Sequence, residues 1–177
     1  AKMHDIDIAT PLRELLDKTG KENAALIMSK EIALGKYQSP DASLEDRLDH
    51  AVRVGLAIVT EGVTIAPLQG ISEIKIKNNK DGSEYLSVAI AGPMRSAGGT
   101  ESAVTMLIAD HVRRAVGLEK YQADCFDDET GRFVEELRIY EIEAKQSFQF
   151  HVSDDDIKTV ISNLPVELEG EGTDPYE

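Results

Sequence analysis

Tyr85-Leu86-Ser87-Val88-Ala89-Ile90-Ala91 runs directly into Gly92-Pro93-Met94-Arg95-Ser96-Ala97-Gly98-Gly99-Thr100. The first seven residues have the alternation of a β-strand, and a strong helical period begins after Thr100, so the nine residues between form a strand-to-helix connection. Two adjacent glycines allow positive φ and leave no side chains in the way, so that N–H groups there could converge on an oxygen-rich partner such as a phosphate. Arg95 adds a fixed charge beside them. Arg95, Ser96, Gly98, Gly99 and Thr100 are therefore the candidate nucleic-acid-binding residues. The alternative is a tight architectural turn in which Gly98 and Gly99 only permit close packing.

Working outward, Ile74 and Ile76 alternate with Lys75 and Lys77, and Asp81-Gly82 separates that run from Tyr85, which predicts a β-hairpin. The first strand has a half-exposed pattern, whereas Leu86, Val88 and Ile90 with Ser87 and Ala89 give the second a more buried one. After the loop, Thr100 is the expected N-cap of a helix carrying Val104, Leu107, Ile108, Val112, Ala115 and Val116, which Gly117 ends.

The first third reads as helical. Thr10 is the expected N-cap of a first helix with Pro11 at its first position, and Leu12, Leu15 and Leu16 follow at helical spacing before Gly20. A second helix is expected over 21–34, closed by Gly35, with Ala25, Met28 and Ile32 along one side. Ser43-Leu44-Glu45-Asp46 resembles a capping box, and Leu48, Ala51, Val52, Gly55, Ile58 and Val59 give a third helix a continuous apolar face. Downstream, a helix is expected over 128–145 with Phe133, Val134, Leu137 and Tyr140 on one face, then a short strand through Phe148, Phe150 and Val152. Ser153-Asp154-Asp155-Asp156 opens another helix through Ile157, Val160, Ile161 and Leu164, and a last strand is expected over 166–168. The fold class is α+β: a helical N-terminal region (1–62) packed on a small, mainly antiparallel sheet with further helices (63–169), and a polar tail (170–177) that reads as truncated.

The 177 residues include 29% charged and only 5% aromatic side chains, without tryptophan, so the core must be built of Ile, Val, Leu and Ala. No apolar run is long enough to cross a bilayer and the first residues lack a secretory pattern, which points to a cytoplasmic protein without membrane contact. One cysteine, Cys125, excludes an internal disulfide and a Cys-rich zinc site within this chain. A net charge of −14 argues against strong nucleic-acid binding by this piece alone, although the stretch 75–80 and the surroundings of Arg95, Arg113 and Arg114 are locally basic.

Other chemistry finds little support. The connection lacks a Gly-Lys-Ser/Thr and a Gly-x-Gly-x-x-Gly spacing, and Glu101 in the first helical turn repels phosphate. Asp154, Asp155 and Asp156 follow Ser153 at a helix start, where the macrodipole favours acids without any metal. The same holds for Asp124, Asp127, Asp128 and Glu129. His4, His50, His111 and His151 are scattered without zinc spacing, and Ser96 has no nucleophile setting. No catalytic residue, no metal ligand and no bound cofactor is expected in this piece.

Several motifs in order resemble the large subunit of archaeal family D DNA polymerase. They are Thr60-Glu61-Gly62-Val63, Ala66-Pro67-Leu68-Gln69-Gly70-Ile71, Asp81-Gly82-Ser83-Glu84-Tyr85-Leu86, the nine residues of the connection, and Ala109-Asp110-His111-Val112-Arg113-Arg114 with Gly117-Leu118. Arg132-Phe133-Val134-Glu135-Glu136, Ser153-Asp154-Asp155-Asp156-Ile157 and Asn163-Leu164-Pro165-Val166 continue the likeness over most of the chain. The resemblance implies an N-terminal piece of a replicative DNA-directed DNA polymerase, with primer-template DNA and a small subunit carrying a 3′-to-5′ exonuclease as partners. It also implies Mg²⁺ in the whole enzyme, with the polymerising carboxylates beyond the matched region, so that the piece alone is inactive. Three roles follow: an accessory domain whose 95–100 loop faces DNA or a neighbouring domain, an assembly module meeting the small subunit or another large subunit, and, weakest, a free nucleotide-binding enzyme.

Overall fold

A computed structural model describes residues 7–60, 70–91, 99–123, 129–143 and 151–170. The described residues form α1 (Ala9–Thr19), α2 (Lys21–Ala33), α3 (Leu44–Val59), β1 (Ile71–Asn78), β2 (Glu84–Ile90), α4 (Gly99–Val116), α5 (Glu129–Glu143), α6 (Asp154–Ser162) and β3 (Glu167–Gly170). The fold is α+β, with a three-stranded sheet in the order β1-β2-β3.

The helix ends follow from local hydrogen bonding. Ser43 Oγ accepts from Asp46 N at 3.1 Å while Ser43 N donates to Asp46 Oδ2 at 3.2 Å, which completes the capping box of α3 with an aspartate in the usual glutamate place. Ser153 Oγ likewise accepts from Asp156 N at 3.1 Å. At the end of α2, Gly35 takes φ 94°, and Lys36 N donates to Glu31 O at 2.9 Å, the signature of a Schellman closure. Gly117, at φ 81°, ends α4 in the same way, with Leu118 N donating to Arg113 O at 3.0 Å.

Two expected caps lie elsewhere. α1 starts at Ala9, before Thr10, because the Asp7 carboxylate accepts from both Ala9 N (2.9 Å) and Thr10 N (3.2 Å), a better cap than one threonine hydroxyl. Thr100 lies inside the first turn of α4 rather than before it.

The hairpin has β1 and β2 antiparallel, with Ile74 opposite Val88 and Ile76 opposite Leu86. Its turn is closed by Asn79 N to Ser83 O at 2.8 Å, with Gly82 at φ 85° and Asp81 Oδ1 accepting from Ser83 N at 2.9 Å. β3 pairs in parallel with β2, Val88 opposite Leu168. The antiparallel ladder is the longer of the two. Of the short strand expected through Phe148, Phe150 and Val152, the first two positions lie outside the described residues, and Val152 has no strand pairing.

One core joins the helices to the sheet. Met28, Ile32, Leu48, Val52, Leu56, Leu86, Val88, Ile108, Val112 and Val166 have no more than 1% of their surface exposed. α2 and α3 pack most extensively, α4 crosses both, and α3 and α4 also meet the hairpin. A second, smaller cluster sets Tyr85 against Tyr121, ring centroids 5.0 Å apart, with Ile161 and Leu164 beside them. It ties the segment after α4 and the end of α6 to the sheet.

Candidate functional site

Of the five candidate residues, Arg95, Ser96 and Gly98 lie outside the described residues. Gly99 and Thr100 form the exposed first turn of α4, an 18-residue helix with Glu101 in that same turn. Gly99 has the helical backbone of α4 and does not use the positive φ expected of it; among the described residues a Cβ there would meet nothing within 4 Å. The opening N–H groups of α4 point along the positive end of its dipole, partly offset by Glu101.

The locally basic stretches are compensated in three dimensions. Lys75 pairs with Glu73 at 2.7 Å, and Lys77 reaches across β2 to Glu167 at 2.9 Å and to Glu169 on β3. Burial pulls the Lys77 ammonium down, but hydrogen bonds to Glu169 and Glu167 outweigh it and hold its pKa above the usual lysine value. On α4, Asp110 takes both neighbouring cations: Arg113 at 2.6 Å, itself 8% exposed, and Arg114 at 2.6 Å. Arg113 also donates to Leu118 O at 3.1 Å, so it serves the end of its own helix. The basic character read along the chain at 75–77 and 113–114 is thus neutralised, by near neighbours on the same strand or helix for Lys75, Arg113 and Arg114 and by distant carboxylates of β3 for Lys77.

The acidic triplet divides in the same structural way. Asp156 completes the cap with Ser153, while Asp154 accepts from Arg138 Nε at 3.0 Å. Among the described residues no group of three His, Cys, Asp or Glu side chains is placed to hold a metal ion, and no helix is long and apolar enough to cross a membrane. Cys125 and its acidic neighbours lie outside the described residues.

Two polar keystones carry no signal in the local sequence pattern. Asn79, 4% exposed, donates to Ser83 Oγ at 2.9 Å and Lys120 O at 3.0 Å and accepts from Gln122 N at 3.0 Å. It stitches the hairpin turn to the segment after α4. Arg138 on α5 binds Glu141 Oε2 at 2.6 Å, Val152 O at 2.6 Å and Asp154, and so fastens α5 to the start of α6. A third device is Gly55 on α3, where a Cβ would lie 2.2 Å from Ser29 Oγ and 2.9 Å from Ile108 Cγ2. Only glycine lets α2, α3 and α4 approach this closely.

The amino-acid sequence matches a known group of proteins along the whole chain. The family model described as DNA polymerase II large subunit DP2, N-terminal, covers residues 1–177. A DNA polymerase II large subunit from Cenarchaeum symbiosum is 73% identical over 177 residues, which is 100% of this chain and 16% of that protein. Large subunits from Methanococcus maripaludis and Thermococcus kodakarensis are each 43% identical, over 97% and 96% of this chain and 15% and 9% of theirs. The chain belongs to the N-terminal family of the large subunit of DNA polymerase II, the archaeal family D polymerase. It spans less than a fifth of the length of these relatives.

Proposed function

We propose that this region is a structural accessory part of a replicative DNA-synthesising subunit, one that supports the polymerising site without contributing residues to it. In this proposal the carboxylates that hold Mg²⁺ for nucleotidyl transfer belong to another part of the subunit, and this region alone is inactive. A small subunit with 3′-to-5′ exonuclease activity completes the enzyme, and primer-template DNA is bound by the assembly in the cytoplasm. The observation that carries this role is charge: net −14, with Lys75, Lys77, Arg113 and Arg114 each engaged by a carboxylate of the same chain. Phosphate binding rests on clustered, available cations, and ion-paired ones must first give up a partner.

A second role, contact with the DNA backbone by Arg95, Ser96, Gly98, Gly99 and Thr100, is favoured by the exposure of Gly99 and Thr100 at the start of α4. The assembled polymerase carrying Arg95→Ala separates the two. The structural role expects unchanged primer-template affinity, salt slope and rate of synthesis. A uniform loss of affinity with a salt slope reduced by about one would instead establish the DNA contact. Nucleotide turnover by this region alone would defeat both.

A further inference from the structure

A groove of about 560 Å³ lies between α2 and α4, walled by Leu26, Ile27 and Leu34 with Lys30 and His111 among its polar groups. Leu34 is 55% exposed, and Leu107, one turn before His111 on α4, is 60% exposed. Single exposed leucines are ordinary on a protein surface, whereas apolar side chains grouped around a concavity form a surface suited to a docking partner. His111 Nε2 is shielded from solvent and has no hydrogen-bond partner among the described residues. A shielded polar atom of this kind calls for a partner group from outside. Glu31, the groove's own acid, is already engaged by Lys36 at 2.8 Å and the Tyr37 hydroxyl at 3.1 Å. Among the described residues Lys30 therefore has no acidic partner, and it lines a groove in a protein of net charge −14.

We propose that this groove receives an amphipathic helix from another part of the same large subunit. That helix lays aliphatic side chains at i and i+3 or i+4 against Leu26, Ile27 and Leu34 and brings a carboxylate to Lys30 and a hydrogen-bonding group to His111. The Lys30 ammonium at the groove selects an acidic, apolar helix over a basic one. The length of the relatives favours an occupant within the chain: the matched region is 16% of the Cenarchaeum symbiosum protein, so most of such a subunit lies elsewhere and must pack on this region if it is to hold a fixed place. The inference rests on the structural role proposed above.

The test places a photoreactive benzoylphenylalanine at Leu34 in the full-length large subunit bound to its small subunit. Irradiation and peptide mapping are expected to give a crosslink within one chain, to a helical segment rich in Leu, Ile and Glu or Asp, with a yield independent of protein concentration. Lys30→Glu is expected to lower that yield several-fold and leave DNA affinity unchanged. A crosslink to a second large subunit or to the small subunit, or the absence of an intrachain product, overturns the inference while leaving the structural role intact. A crosslink from Leu34 to primer-template DNA, or loss of DNA affinity in Lys30→Glu, overturns both.

Discussion

Where α2, α3 and α4 meet, Gly55 lets the backbone of α3 approach Ser29 and Ile108 closely, and Met28, Ile32, Leu48, Leu56 and Val112 fill the space with no exposed surface. Where α5 meets α6, Val134 and Ile157 are the buried apolar side chains among the described residues, and Arg138 holds the join through Asp154, Glu141 and Val152 O. Ile139, Ile142 and Val160 on these two helices remain more than half exposed. Both are helix packings, but they rest on different forces. Apolar burial is not weakened by charge screening or by mild acid, whereas a partly exposed charge network is sensitive to both.

The largest effect should come from emptying the first region. Leu56→Ala is expected to cost about 2–5 kcal/mol, the usual range for a fully buried leucine, measured as the shift of the denaturant midpoint. A cost below about 1 kcal/mol would mean that the three helices are not tightly interlocked. Gly55→Ala tests overpacking at the same place, with an expected loss of about 1–3 kcal/mol. Adding Ser29→Ala should recover part of it, because the nearest clash is with Ser29 Oγ, while Ile108 Cγ2 remains at 2.9 Å. Full additivity of the two substitutions would break this account.

Asn79→Ala probes a polar join inside the well-packed part. It leaves Lys120 O and Gln122 N without their partner and should cost about 1–3 kcal/mol by thermal or chemical unfolding. Arg138→Ala should act on the other region: amides of α5 and α6 lose hydrogen-exchange protection while those of α2 to α4 keep theirs. High salt should produce a weaker version of the same pattern.

Acid should have the smallest effect and the same address. Hydrogen bonds from Arg138 hold the Glu141 and Asp154 carboxyls below their ordinary values of 4.5 and 3.8. A carboxyl whose pKa is lowered by folding stabilises the folded form fully above its unfolded value and loses that contribution as pH falls through the folded value. Exchange compared at pH 6 and pH 3 should therefore show α5 and α6 opening first. Equal loosening of α2 to α4 would remove the contrast between the two regions.

Much of the local structure is legible residue by residue. Ser43 and Asp46, Gly35, Gly117 and the alternation around Ile74 and Val88 each act through near neighbours, so their outcome is contained in a few adjacent positions. The misplaced caps, Thr10 and Thr100, show the limit even there, since neighbouring groups compete for the same N–H donors and Asp7 wins at α1. The candidate site was legible only as a pattern: Gly99 and Thr100 do begin a helix, but Gly99 has no positive φ and, among the described residues, no close neighbour. Arg95, Ser96 and Gly98 lie outside the described residues.

The sequence by itself determined the α+β class, the hairpin, the helix stops and the family, because periodicity, turn chemistry and ordered motifs are properties of neighbouring residues. Only the tertiary structure decided that Lys77 is paired with Glu167 across β2, that β3 joins β2 in parallel, that Asn79 bridges to Lys120 and Gln122, and that Gly55 must be glycine. Each of these depends on groups brought together from distant positions or from separate elements. Charge, hydrogen bonding and steric fit act over a few ångströms of space, whatever the distance along the chain.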